Sequence, residues 1–301
     1  MQKRSWWLRR GVRLSILSLL PLAATPVGRA EIHQERPPII SPQGSFLHPA
    51  SGEHLRELTT DRPDKTESPF TVDPGHFQLE MDILSYSFDR YNPEREPTRV
   101  ETLSIAPLNL KVGLSGRVDA QLILQTYQSV RTRDETTGQV VKQRGFGDVI
   151  PRLKINVWGN DGGPTAFAIM PYLKLPTNQD QLGNGSLEGG LILPLAVRLP
   201  AGWDMGLMTQ YDYARDTAGR GHHPEFVNSI TFSHDITRRL GGYLEWFSAV
   251  STERNSGWVG TVDFGFTYSL TRDLQLDAGM SVGVTRAAED LNPFAGISWR
   301  F

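Results

Sequence analysis

The stretch Val262-Asp263-Phe264-Gly265-Phe266-Thr267-Tyr268-Ser269-Leu270-Thr271-Arg272-Asp273-Leu274-Gln275-Leu276-Asp277-Ala278-Gly279-Met280-Ser281-Val282 decides the fold. Apolar residues recur at every second position on both sides of a short Thr271-Arg272 turn. Successive side chains of a strand point to opposite faces, so this spacing predicts a hairpin of two strands. Val262, Phe264, Phe266, Tyr268 and Leu270 share one face with Leu274, Leu276, Ala278, Met280, Val282 and Val284. Asp263, Gly265, Thr267, Gln275, Asp277 and Gly283 take the other.

The pattern continues outward in both directions. The last residues give Pro293, Ala295, Ile297, Trp299 and Phe301 on one face. Upstream, the same alternation predicts strands around Leu240–Trp246, Phe226–Phe232, Trp203–Tyr213, Leu191–Leu199, Phe167–Leu175, Val149–Val157, Val118–Leu124 and Leu108–Leu114. The first strand begins at His76 with Phe77, Leu79 and Met81. Its phase slips to Leu84, Tyr86 and Phe88, which predicts a β-bulge. This makes about 12 strands. Their connections alternate: short ones at Ser115-Gly116, 159–163, Pro200-Ala201, 237–239 and Thr271-Arg272, long ones near 89–98, 131–145, 176–186, 214–224, 251–256 and 285–292. Short turns at one end and long loops at the other mark an outer-membrane barrel. A Greek-key sandwich has no reason to keep that order. The expected fold is all-β, an antiparallel transmembrane β-barrel, its apolar phase toward lipid and its polar phase toward the lumen. Tyr86, Phe88, Trp203, Tyr211, Tyr213, Trp246, Trp258, Tyr268 and Trp299 lie near strand ends and suit aromatic girdles.

Composition fits this reading. The chain is 39% apolar, and its mean hydropathy of −0.34 is that of a soluble protein, as alternation makes it in a barrel. No apolar run reaches the length of a spanning helix, and only helices and closed barrels satisfy the backbone in lipid. Residues 1–30 read as a secretory signal peptide: a basic start with Lys3, Arg4, Arg9, Arg10 and Arg13, the apolar run Leu14–Ala24, and Gly28-Arg29-Ala30 before the cut. The remainder holds 25 basic and 33 acidic residues, a net −8, which argues against nucleic acid as a partner. The absence of cysteine excludes disulfides, thiol nucleophiles and Cys-bound metal. Residues 31–75, with Pro37, Pro38, Pro42, Pro49, Pro63 and Pro69, read as an irregular periplasmic leader or partial plug, followed by the barrel at 76–301.

A family resemblance rests on several motifs. Leu58-Thr59-Thr60-Asp61-Arg62-Pro63-Asp64-Lys65-Thr66-Glu67-Ser68-Pro69 with Gly75-His76-Phe77-Gln78-Leu79-Glu80 resembles the start of the outer-membrane transporter family linked to the phenol meta-degradation pathway. Gly145-Phe146-Gly147-Asp148-Val149, Pro151-Arg152-Leu153-Lys154, Trp158-Gly159-Asn160 and Pro171-Tyr172-Leu173-Lys174-Leu175-Pro176-Thr177 are similar to it too. The resemblance spans roughly 58–301. It implies a barrel passing small, aromatic or hydrophobic compounds. The ending at Phe301, with apolar residues at alternate positions before it, resembles the signature read by the barrel-assembly machinery.

For the lumen, the polar phase offers Glu80, Asp82, Asp148, Arg152, Lys154, Lys174, Asp204, Asp212, Glu245, Asp263 and Asp277. Such charges form selectivity rings, or merely pair across strands. Asp61, Arg62, Asp64, Lys65 and Glu67 crowd the leader before strand one. Two readings of that segment stand: a plug whose charges meet Glu80, Asp82, Arg152 and Lys154, or a solvated turn shaped by Pro63 and Pro69. Twelve strands give a lumen between the filled and the open-channel size. The expected partners are outer-membrane lipid and a small-molecule cargo, with no cofactor, no metal and no catalytic residue. The rivals are an outer-membrane hydrolase, which needs a nucleophile beside an oriented His, and a structural or adhesion barrel. His222-His223 lie in an expected loop with Arg220 and Glu225, and adjacent His in extended chain point apart. Ser233 and His234 are strand neighbours and face opposite sides.

Overall fold

A computed structural model describes residues 44–50, 55–90, 92, 97–217 and 221–301. The expected signal peptide and residues 31–43 lie outside the described residues. The strands are β1 (Phe77–Asp89), β2 (Thr98–Ile105), β3 (Leu108–Ser115), β4 (Val118–Leu124), β5 (Tyr127–Asp134), β6 (Val140–Gly145), β7 (Val149–Trp158), β8 (Thr165–Lys174), β9 (Glu188–Arg198), β10 (Trp203–Arg215), β11 (His222–Asp235), β12 (Leu240–Ser251), β13 (Val259–Ser269), β14 (Leu274–Gly283) and β15 (Leu291–Arg300). They form one antiparallel sheet that closes on itself, because β15 pairs with β1 from Gln78↔Arg300 to Phe88↔Leu291. Phe77 N–H donates to the Phe301 carbonyl at 3.0 Å and Phe301 N–H returns the bond at 2.9 Å. Closure satisfies the edge groups that lipid could not.

Twelve strands cross the wall, since β2–β3, β4–β5 and β6–β7 are each one long strand bent midway. The bends at 106–107, 125–126 and 146–148 lie side by side. Pro107 has no N–H to give the ladder, and the Thr126 hydroxyl donates to the Ile105 and Ala106 carbonyls at 2.7 Å. Gly147 N–H donates to the Gln125 carbonyl at 2.8 Å. At this level β1 exchanges its β3 partner for β2, and the register shift between Asp82 and Leu84 is the bulge that the phase slip predicts.

Residues 131–145, expected as a long loop, and 98–105, expected in no strand, instead extend the wall as β2, β5 and β6. Above Leu103, Ile105 and Tyr127 their outward positions carry mostly charge: Arg99, Glu101, Arg131, Arg133, Lys142 and Arg144. The alternation persists in the backbone but not in hydropathy, because this part of the wall stands beyond the apolar band.

Burial is inverted relative to a soluble protein. Glu80, Lys111, Asp119, Lys154, Glu245, Asp263 and Asp277 are buried. Leu122, Leu173, Phe226, Leu244, Trp246, Phe264, Phe266 and Trp299 are exposed. A buried charge costs several kcal/mol unless paired, and exposed aromatics gain nothing in water. The inversion is favourable when hydrocarbon lies outside and a polar lumen inside, so the barrel is an outer-membrane protein. The inner wall also has one apolar face: Met170, Ile192, Met208, Val227 and Ala249 pack together on β8 to β12, flanked by Tyr172 and Phe247.

Candidate functional site

The site is built around residues 55–75, which precede β1. Their partners lie on strands all round the barrel, so the segment is encircled by the wall. At the short-turn end, Asp73 is buried between Arg56 (Nε to Oδ1, 2.6 Å) and Arg300 (Nη1 to Oδ2, 2.9 Å). Thr71 N–H donates to Asn160 Oδ1 and Val72 N–H to Asp119 Oδ2, both at 3.0 Å. These bonds are the partners that extended backbone inside a barrel otherwise lacks. The wall makes room with glycine: a Cβ on Gly113 would stand 2.0 Å from the Asp73 carbonyl oxygen, and one on Gly296 2.0 Å from Arg62 Nη2.

Further in, charge is sorted by side. The Asp61 carboxylate accepts from Lys111 Nζ at 2.5 Å and Lys154 Nζ at 2.6 Å, and Glu67 pairs with Arg152. On the opposite side, Arg62 meets Asp277 and Asp82, each at 2.6 Å. Lys65 Nζ lies 3.2 Å from Asp263 Oδ2 and 4.6 Å from the centre of the Phe247 ring. Lys65 N–H donates to Glu245 at 2.9 Å, and the Thr66 hydroxyl binds the same carboxylate at 2.5 Å. The segment thus turns acids toward the cationic wall of β3 and β7, and bases toward the acidic wall of β12 to β14 and β1. Glu80 completes the cationic side, accepting from Lys111 at 2.5 Å and from Asp61 N–H.

Charge states follow from these contacts. Burial opposes ionisation of Asp61, but Lys111 and Lys154 outweigh it and hold the carboxyl well below the usual carboxylate range. Asp64 has no such cation. Burial pushes it up to about 7, with the charges of Asp61 and Glu67 adding to the effect and a Thr231 hydrogen bond opposing it.

Space lies on both sides of this crossing. A cavity of about 300 Å³ opens toward the short-turn end, lined by Asp204, Thr231 and His234 on the wall and Thr66 and Phe70 on the segment. A second, of about 110 Å³, lies toward the loops beside Asp82, Glu245, Asp263 and Phe294. Arg62, Pro63, Asp64 and Tyr243 border both, so they are the partition between them.

Of the residues singled out from sequence, Asp61, Arg62, Asp64, Lys65, Glu80, Asp82, Arg152, Lys154, Glu245, Asp263 and Asp277 gather at this crossing. The others lie elsewhere. Lys174 pairs with Glu188 at 2.8 Å and lies 3.8 Å from Asp148, which caps Asn178 in the 175–187 loop. Asp212 accepts from the Tyr172 hydroxyl and from Gln210. Asp204 is exposed at the start of β10. Sequence reasoning missed Lys111, Asp73 and Arg300. Lys111 had a signal, its place in the polar phase of Leu108–Leu114. Arg300 had the same signal beside Phe301.

The histidines are otherwise engaged. His234 Nδ1 lies 2.9 Å from the Gly202 carbonyl and its ring stacks on Trp203. His222, on β11 rather than in a loop, stacks on Tyr213, and His223 Nδ1 lies 2.9 Å from Asp216. Glu253 gathers with Asp216 and His223, its carboxylate also accepting from Thr217 N–H and hydroxyl.

Comparison with known proteins agrees with the architecture. An outer membrane channel from Pseudomonas putida F1 is similar over 81% of this chain and 100% of its own, at 14% identity and a TM-score of 0.54, which shows a shared fold. The NanC porin (10% identity, 73% of this chain and 98% of that one, TM-score 0.49) and the Ralstonia pickettii toluene transporter TbuX (8%, 75% and 88%, 0.42) are more distant. No curated protein matches the sequence. The family model described as "Putative MetA-pathway of phenol degradation" matches residues 60–301, most of the inner segment and the entire barrel, and the chain belongs to that family.

Proposed function

We propose that this chain is an outer-membrane channel for small, aromatic or hydrophobic compounds, which cross by passive or facilitated diffusion, and that residues 55–75 are its plug. The observation that carries the reading is the partition at Arg62, Pro63, Asp64 and Tyr243, with a cavity on either side. A plug held mainly by ion pairs and hydrogen bonds can shift without exposing an apolar core. The charged lumen residues named above then form the constriction, with Asp148 and Lys174 nearer the loop end and Asp204 at the periplasmic mouth. The apolar inner face at Met170, Ile192, Met208 and Val227 offers an uncharged aromatic a path along the wall. The family's link to phenol degradation fits such a cargo. Passage, not catalysis, is the role the lumen supports. Phe301 is the proposed handle for the assembly machinery, and residues 1–30 the signal that exports the chain.

The test is uptake by cells lacking the gene. They accumulate less of a neutral monoaromatic compound while sugar uptake is unchanged, and the wild-type chain restores it. Met170→Arg, which puts a cation on the apolar face, restores less. Unchanged aromatic accumulation in the deletion strain would refute the proposal.

A further inference from the structure

The upper wall carries a cationic face that passage does not use. Strand register sorts it into rows across β1, β2, β5 and β6. Leu84, Ile105 and Tyr127 form the lowest, and Tyr86, Leu103, Ser129 and Arg144 the next. Phe88, Glu101, Arg131 and Lys142 follow, then Arg99, Arg133 and Val140. These positions point outward: Leu84, Tyr86, Ile105 and Tyr127 are exposed, whereas Ser87 and Asp89, in the opposite phase, are buried. The face therefore continues the lipid-facing surface past its last apolar row. At about 3.4 Å per residue Arg144 stands roughly 7 Å, Arg131 and Lys142 roughly 14 Å, and Arg99 and Arg133 roughly 20 Å along the strands from the Tyr127 row, a span that begins at headgroup depth.

The cations are only partly balanced by acids, and the Asp180 carboxylate also lies nearby, accepting from the Arg144 backbone N–H at 2.9 Å. Arg99 and Arg131 share the Glu101 carboxylate, at 2.5 and 3.2 Å. Arg133 lies 3.9 Å from Glu135, with both side chains about half exposed. Among the described residues, no acidic side chain pairs with Lys142 or Arg144. Arg99 lies over the Phe88 ring at 4.7 Å, which fixes its guanidinium. Arginine forks on a flat, twisted sheet match phosphate oxygens in pairs, and basic clusters at a membrane surface bind anionic headgroups.

We propose that this face binds the phosphorylated headgroup of a glycolipid in the outer leaflet, its acyl chains lying along the Leu84, Ile105 and Tyr127 row. The occupant follows from continuity with the lipid-facing wall and from charge. The site is independent of the proposed cargo.

The test uses the purified full chain in detergent and native mass spectrometry with lipid A, bis-phosphorylated or enzymatically dephosphorylated. The phosphorylated form is expected to bind at least about tenfold more tightly. The variant carrying Arg131→Glu and Lys142→Glu loses that preference, and inorganic phosphate does not displace the lipid. Equal binding of the two lipid forms would overturn the proposal without any variant. So would a folded double variant that keeps the preference, or displacement by inorganic phosphate at equal concentration, which would mark a small-anion site.

Discussion

Asp61 shows how one residue binds the plug to the wall. It takes two ammonium groups, Lys111 and Lys154, and also accepts from Ser68 N–H at 2.9 Å, which folds the plug back on itself. Each lysine is almost wholly buried. Removing one partner of a buried ion pair leaves an uncompensated charge, at a cost of about 3 to 5 kcal/mol. Asp61→Asn is therefore expected to loosen the plug while leaving the backbone-bonded barrel closed. The check is limited proteolysis of the folded protein: cleavage within residues 55–75 accelerates while the barrel keeps its heat-modifiable mobility. Unchanged cleavage would show that the two lysines do not hold the plug.

At the scale of elements, the plug responds to pH through Asp64. When docked, its pKa is raised from 3.8 to about 7. A raised pKa means that docking is strongest with the group protonated. Docking is thus full below about pH 4 and weakens as pH climbs through 7. Asp61 and Glu67 repel the ionised form, as does Glu245, while Asp263 and the cations Arg62 and Lys65 line the same cavity as Asp64. Open-channel probability is expected to rise between about pH 4 and 7 and level off above, and Asp64→Asn to flatten that rise. A step of equal size in the variant would assign the titration elsewhere. This scale also explains what the sequence displayed. Strands that face hydrocarbon, such as β13 and β14, show their alternation because every second residue must be apolar. β2, β5 and β6 hide theirs because Arg131 and Lys142 take the outward positions. The charges of Asp61 to Lys65 were visible, but their partners were not. Arg62 meets Asp277, 215 residues away, and only closure of the barrel brings them together. Lys111 and Arg300 could be read from the polar phase alone, whereas Asp73 lies in a segment without periodicity.

For the whole molecule, the account requires lipid outside and a plugged polar lumen inside. Leu244 is exposed on β12, in one row with Phe232 and Phe264. Leu244→Arg is expected to cost about 2 to 4 kcal/mol if that row lies near the bilayer midplane, read by urea titration of folding into vesicles. A neutral effect would place the row outside hydrocarbon. The central claim is that residues 55–75 close a lumen that otherwise conducts. Planar-bilayer recording of the wild-type chain against a chain lacking residues 55–73 tests it most directly. The account predicts small, intermittent conductance for the wild type and a larger, sustained conductance for the folded deletion variant. Equal conductance of the two folded proteins would contradict it.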